Sequence, residues 1–156
     1  MERAPNFAFA ATVTSPSGTT HLNGTFQAPD SEDLNLQAPG GKTAEVLFVG
    51  TKAYEKDATG TWRDALGGPA QPSDPRAAFA AILTARFGPA RANVYPCSLS
   101  PAAAQAIVRG PGQQNAVNCS VSLQGTTVSM LHLRASHFDA TIAYSGVGST
   151  PPVPHP

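Results

Sequence analysis

Apolar side chains recur at every second position through both ends of this 156-residue chain. A period of two sends alternate side chains to opposite sides of an extended backbone, so these segments must be strands with one greasy face. In Asn6 to Ser15, Phe7, Phe9, Ala11 and Val13 alternate with small or polar residues. Ser15-Pro16-Ser17-Gly18 has turn composition. Thr19 to Ala28 then sets Leu22 and Phe26 against His21, Asn23, Thr25 and Gln27, and the two runs read as a hairpin that Pro29 stops. Asp33 to Ala38 puts Leu34 and Leu36 on one side. After Pro39-Gly40-Gly41, Thr43 to Tyr54 is the most apolar run and reads as one long strand carrying Val46 and Phe48. Asp57-Ala58-Thr59-Gly60 turns the chain into Thr61-Trp62-Arg63.

The period changes in the middle. Residues 66–73 (LGGPAQPS) have loop composition. Asp74 fits a helix cap with Pro75 at the first helical position, where its missing N–H costs nothing. Ala77 to Arg86 follows, with Phe79, Ile82, Leu83 and Phe87 at helical spacing until Gly88-Pro89. Ser100-Pro101 opens a second helix by the same grammar, with Gly110 at its stop and Pro111-Gly112 beyond. Alternation then resumes. Cys119, Val121 and Leu123 share a face. Val128, Met130 and His132 oppose Ser129, Leu131 and Leu133. Phe138, Ala140, Ile142 and Tyr144 share another face.

This order predicts an α+β fold: roughly four or five strands, two short helices and roughly three more strands, in a largely antiparallel sheet. Residues 1–5 read as a leader or an added remnant, 6–150 as a single domain, and 151–156 as a Pro-rich tail. Two cysteines, Cys97 and Cys119, are either buried thiols or one disulfide. With no CxxC or Cys/His cluster, the disulfide is the expectation, and it would place the domain in an oxidising compartment.

Charge narrows the function. Charged residues are 13% of the chain, about half the usual ~25%, and ten basic residues balance ten acidic ones. A phosphate-binding partner needs net positive charge, so nucleic acid is not expected, nor electrostatic attraction to anionic membranes. No apolar run approaches the ~20 residues of a membrane span. The first residues lack the apolar core of a signal peptide, so membrane association would need an anchor outside this sequence.

A family resemblance rests on particular residues. Gly24-Thr25-Phe26-Gln27-Ala28-Pro29 is followed by Val49-Gly50 leading to Tyr54, then by Asp57-x-x-Gly60-x-Trp62 and a helix opened by Asp74-Pro75. The close is Tyr144-Ser145-Gly146-Val147-Gly148 with Pro152-Val153-x-x-Pro156. In this order and spacing the chain resembles the LolA/LppX-like lipoproteins of actinobacterial cell envelopes, the LppX/LprA/LprF/LprG group, from about residue 6 to the C-terminus. The resemblance implies a strongly curved antiparallel sheet, a half-barrel, with helices on its concave face. It implies an apolar cavity for lipid chains, export, and N-terminal lipid anchoring. The chain departs from the pattern in its short helices and in a candidate disulfide that the family does not demand.

The residues expected to line the inner apolar face come from both halves. From the first strands these are Phe7, Phe9, Val13, Leu22 and Phe26, then Leu34, Leu36, Val46 and Phe48. The first helix adds Phe79, Ile82 and Leu83, and the last strands add Val121, Met130, Phe138 and Ile142. The same residues would equally build a filled core. Tyr54 and Trp62 flank a turn and are either a cross-strand aromatic pair or a gate at the cavity mouth. His21, His132, His137 and His155 form no metal-binding spacing. His137 and Asp139 share a strand face and are the nearest thing to a catalytic pair, but a solvated strand face is the preferred reading. Asp30, Glu32 and Asp33 read as a solvated turn rather than a calcium site. No enzyme motif, cofactor motif or metal set is present. The expected function is therefore non-enzymatic binding, shielding or transfer of a lipid or glycolipid by a monomer in the bacterial envelope. The alternative is an extracytoplasmic interaction or sensing module with a filled core and an envelope protein partner.

Overall fold

The structure, a computed structural model, describes residues 5–65, 75–107 and 117–154. The leader's first four residues, the 66–73 loop, the Asp74 cap, the Gly110 stop and His155 lie outside them.

Six strands come first: β1 (Asn6–Ser15), β2 (Gly18–Gln27), β3 (Ser31–Gln37), β4 (Thr43–Val49), β5 (Lys52–Lys56) and β6 (Trp62–Asp64). Helix α1 (Pro75–Leu83) and strands β7 (Arg86–Phe87) and β8 (Val94–Leu99) follow. Then come α2 (Pro101–Ile107), β9 (Val117–Gln124), β10 (Thr127–Ala135) and β11 (Phe138–Ser145). All eleven strands form one antiparallel sheet in the order β6-β5-β4-β3-β2-β1-β11-β10-β9-β8-β7. The two ends of the chain meet at its centre, where Phe9 pairs with Tyr144 and Ala11 with Ile142. The sheet does not close. Open sheets of more than ~10 twisted strands rarely stay flat, and the arrangement is consistent with a curved sheet.

Connectivity fixes where the first helix goes. The chain leaves the sheet at one edge, β6, and re-enters at the other, β7. Helix α1 lies between these two edges in the chain and packs across one face of the sheet. Phe79 of α1 lands on the sheet centre, with its ring 5.7 Å from Phe7 edge-on and 4.9 Å from Tyr144. Phe7 also packs on Phe26 at 5.2 Å. Tilted and edge-to-face geometries suit aromatic quadrupoles. Around this cluster, Ile82 of α1, Ala103 and Ala104 of α2, and Leu99, Val117, Leu131 and Leu133 of the sheet form one buried core. The second helix is capped as its sequence predicts: the Ser100 hydroxyl accepts the Ala103 N–H at 3.2 Å.

Several elements differ from expectation. The run Thr43 to Tyr54 is a hairpin, not one strand. Gly50 takes φ +60°, a conformation that costs glycine little, and Val49 pairs with Lys52. Helix α1 stops at Leu83 instead of reaching Arg86. Arg86 and Phe87 extend instead and pair with Ser98 and Cys97. Strand β8 was hidden by Pro96, which cannot donate to a ladder and so argues against a strand.

The turn into β8 carries strain. Arg91 and Val94 exchange backbone hydrogen bonds of 3.0 and 2.9 Å around Ala92 and Asn93, whose φ values are +48° and +63°. Such two-residue turns favour glycine or asparagine because both central residues need positive φ. Ala92→Gly should therefore stabilise the protein by about 0.5–1 kcal/mol, the relief of a left-handed alanine less the entropy of a freer unfolded chain. A rise in urea midpoint with unchanged slope would show it.

Candidate functional site

The helix-bearing face divides into two halves of different character. Registry carries one row of side chains from Phe9 through the Gly24 position to Leu34 and Val46. A neighbouring row runs Ala11, Leu22, Leu36 and Ala44. A third runs Phe7, Phe26, Glu32 and Phe48. On the β8–β11 half, α1 and α2 close over the face; Val117, Val121, Leu131, Leu133 and Phe138 are buried there, and Leu123, Val128 and Ile142 are half-buried but packed against that core. On the β2–β4 half, Leu22, Leu34, Leu36, Val46 and Phe48 are each only half-buried and stand outside the core cluster of the described residues.

Gly24 is what lets this surface stay smooth. A Cβ there would sit 3.0 Å from the tip of the Phe9 ring and 2.9 Å from Leu34. The Phe9 ring instead lies over the glycine, bridging the covered and half-covered halves. Glu32, 4% exposed, is the one buried charged side chain among the described residues, and registry sets it between Phe26 and Phe48.

Most residues expected on this face are on it. Phe7, Phe26, Phe79, Ile82, Val121 and Phe138 are buried in the core, and Phe9, Val13 and Ile142 pack against it half-buried. Four expectations fail. Tyr54 pairs with Leu47 and Trp62 with Lys56, both on the opposite face, because the two-residue turn at Gly50 reverses the parity of β5. They do not gate this surface. Met130 is 42% exposed on the opposite face, while Leu131 and Leu133 are fully buried. A register shift between Val128 and Met130 changes the phase within β10 and returns Val128 to the core side. Leu83, at the end of α1, is 70% exposed. The pure apolar Leu131/Leu133 row, set against a row containing His132, was the signal that could have placed β10 correctly. Tyr144, whose phenol burial pushes its pKa up, was the inner aromatic missed as a lining residue.

Cys97 and Cys119 are bonded. They face each other directly in β8 and β9 with Cα atoms 4.7 Å apart, and each is nearly buried in the core wall.

Polar chemistry gathers elsewhere. His137 lies in the turn before β11, and Asp139 partners His132 instead, at 2.9 Å, and Arg134 at 3.1 Å. The hydrogen bond from His132, aided by the charges of His132 and Arg134, holds the Asp139 carboxyl below the usual carboxylate range. A depressed folded pKa stabilises at pH values above the unfolded value near 3.9, and that contribution is lost as pH falls through the folded value. Asp139→Asn should therefore flatten the acid limb of a urea-midpoint profile while changing neutral stability by at most about 1 kcal/mol, since the pair is solvent-screened. An unchanged acid limb would contradict this assignment. Alternation sends Glu32 and Asp33 to opposite faces, so the Asp30/Glu32/Asp33 group does not converge, and no three His, Cys, Asp or Glu side chains gather among the described residues.

No family model and no curated protein sequence matches the chain. Solved structures do. The chain is similar to LprF from Mycobacterium bovis with a TM-score of 0.69 at 13% identity, covering 99% of this chain and 90% of that one. It is similar to the lipoprotein LppX from Mycobacterium tuberculosis with a TM-score of 0.64 at 10% identity, covering 98% and 91%. The resemblance drawn from the Gly24–Pro29 and Tyr144–Gly148 segments is met at the level of the fold.

Proposed function

We propose that this protein binds and shields an apolar ligand, a lipid or glycolipid, against the helix-bearing face of its sheet, and that it does so without covalent chemistry in a bacterial cell envelope. One observation carries the reading. Leu22, Leu34, Leu36, Val46 and Phe48 form a contiguous apolar surface that adjoins the core yet stays half-buried. Apolar surface left in water costs ~25 cal/mol per Å², and a contiguous patch of it marks a place where something binds. In this reading the sheet curls around that surface, the helices sit in its hollow, and acyl chains complete the packing that α1 and α2 begin. The likeness in fold to LprF and LppX, the latter a lipoprotein, supports it. The Cys97–Cys119 bond supports an extracytoplasmic site.

A second reading, an interaction module with a filled core, draws on the dense packing beneath the helices around Phe7 and Leu133. The two separate by experiment. The protein is stripped of lipid under denaturing conditions, refolded, mixed with phosphatidylethanolamine or triacylglycerol, and examined by native mass spectrometry. Lipid adducts that Leu34→Glu with Leu36→Glu abolishes are expected. A folded protein that takes up neither lipid would overturn the reading.

A further inference from the structure

The opposite face of the same sheet carries a feature that the apolar surface does not explain. A groove of about 540 Å³ crosses β1 to β5 there. One wall is the registered row Ala10, Asn23, Asn35, Glu45 and Lys56. The other is Thr12, His21, Gln37 and Thr43. Its floor is the backbone beneath Leu22 and Leu36, whose side chains point to the apolar face.

We propose that this groove is a second binding site, and that its ligand is a neutral saccharide. Asn23, Asn35, Gln37 and Thr43 each offer donors and acceptors together, which is what sugar hydroxyls require. Of the charged groups lining the groove, Lys56 pairs with Glu45 at 2.7 Å and Asp57 with Arg63, and the exposed Glu55 carboxylate adds negative charge at the β5 end. An anion would have to break one of these pairs, and an acyl chain would meet unsatisfied amides. The groove's volume falls within the roughly 300–1,000 Å³ of small-molecule sites. Side chains along each wall repeat at the ~4.8 Å strand spacing, close to the length of one pyranose ring, so successive amides can serve successive sugar units.

The protein carries its own reporter. Trp62 is the single tryptophan in the chain, and Lys56, a groove residue, lies over its ring with Nζ 5.5 Å from the centroid. Anything that engages Lys56 or displaces it alters the surroundings of the indole. The test is a titration of the isotopically labelled protein with maltotriose, mannotriose and galactotriose, followed by amide NMR shifts and Trp62 emission, to about 10 mM, where a Kd of about 1 mM is nearly saturated. Saturable shifts at the Asn23, Asn35 and Gln37 side-chain amides are expected with at least one trisaccharide. Asn35→Ala and Gln37→Ala should each weaken that binding about tenfold while the rest of the spectrum stays in place. Inorganic phosphate should not compete. No saturable shift with any of the three sugars, shifts that fall instead on the Leu34/Leu36 face, binding indifferent to both substitutions, or displacement by phosphate would each overturn the proposal.

Discussion

Phe7→Ala is expected to lower the unfolding free energy by about 3–5 kcal/mol, the loss typical of deleting a buried aromatic ring. Phe7 is wholly buried, and its ring meets those of Phe9, Phe26, Phe79 and Tyr144. These come from β1, β2, α1 and β11, the centre of the sheet and the helix that crosses it. The cavity left behind cannot collapse easily, because two of its walls are hydrogen-bonded strands on either side of β1. For a domain of this size that is roughly 6–20 °C in melting temperature. Val13→Ala removes less volume from a half-buried position near the end of β1 and should cost about 1–2 kcal/mol. Equal effects from the two substitutions would mean that the aromatic cluster is not the centre of the core. Urea denaturation of both variants, at unchanged slope, makes the comparison.

Replacing both cysteines by alanine is expected to cost about 3 kcal/mol. The bond links residues 22 positions apart. Opening a loop of that length restores entropy to the unfolded chain worth about 3 kcal/mol in the chain-entropy model. The loop contains α2, so the bond ties the second helix to the sheet at the β8–β9 ladder. Amide exchange in the double variant should rise first in α2, β8 and β7, and last in β1 and β11 at the sheet centre. Two titratable thiols in the unreduced, denatured protein would contradict the bond outright.

How much of this could be read from the chain follows from where each segment sits. Strands β1, β2 and β11 have one face toward the core and the other away from it, so alternation displayed both their approximate extent and the buried side. The same rule misled wherever a local device changed parity. The hairpin at Gly50 uses only two turn residues, and that moved Tyr54 away from Val46 and Phe48. The irregularity between Val128 and Met130 did the same in β10. Phe87 satisfied a helical period with Phe79 and Leu83, yet β8 offered a strand edge, and pairing with Cys97 won over another turn of helix. The apolar face was legible because it is made of leucine, valine and phenylalanine. The polar groove was not, since single asparagines and threonines on a strand look like ordinary solvated positions until registry aligns them across five strands.

The central claim is that Leu22, Leu34, Leu36 and Val46 form a surface for a greasy ligand. A stearic acid spin-labelled near its methyl end tests this directly, through the paramagnetic broadening of side-chain methyl, ring and carboxamide signals, which lie on one face of the sheet or the other. The account predicts that broadening centres on those four residues and on Phe9 and Phe48, and disappears in Leu34→Glu with Leu36→Glu. Uniform weak broadening, or broadening centred on Asn35, Gln37 and Met130 across the sheet, would contradict it.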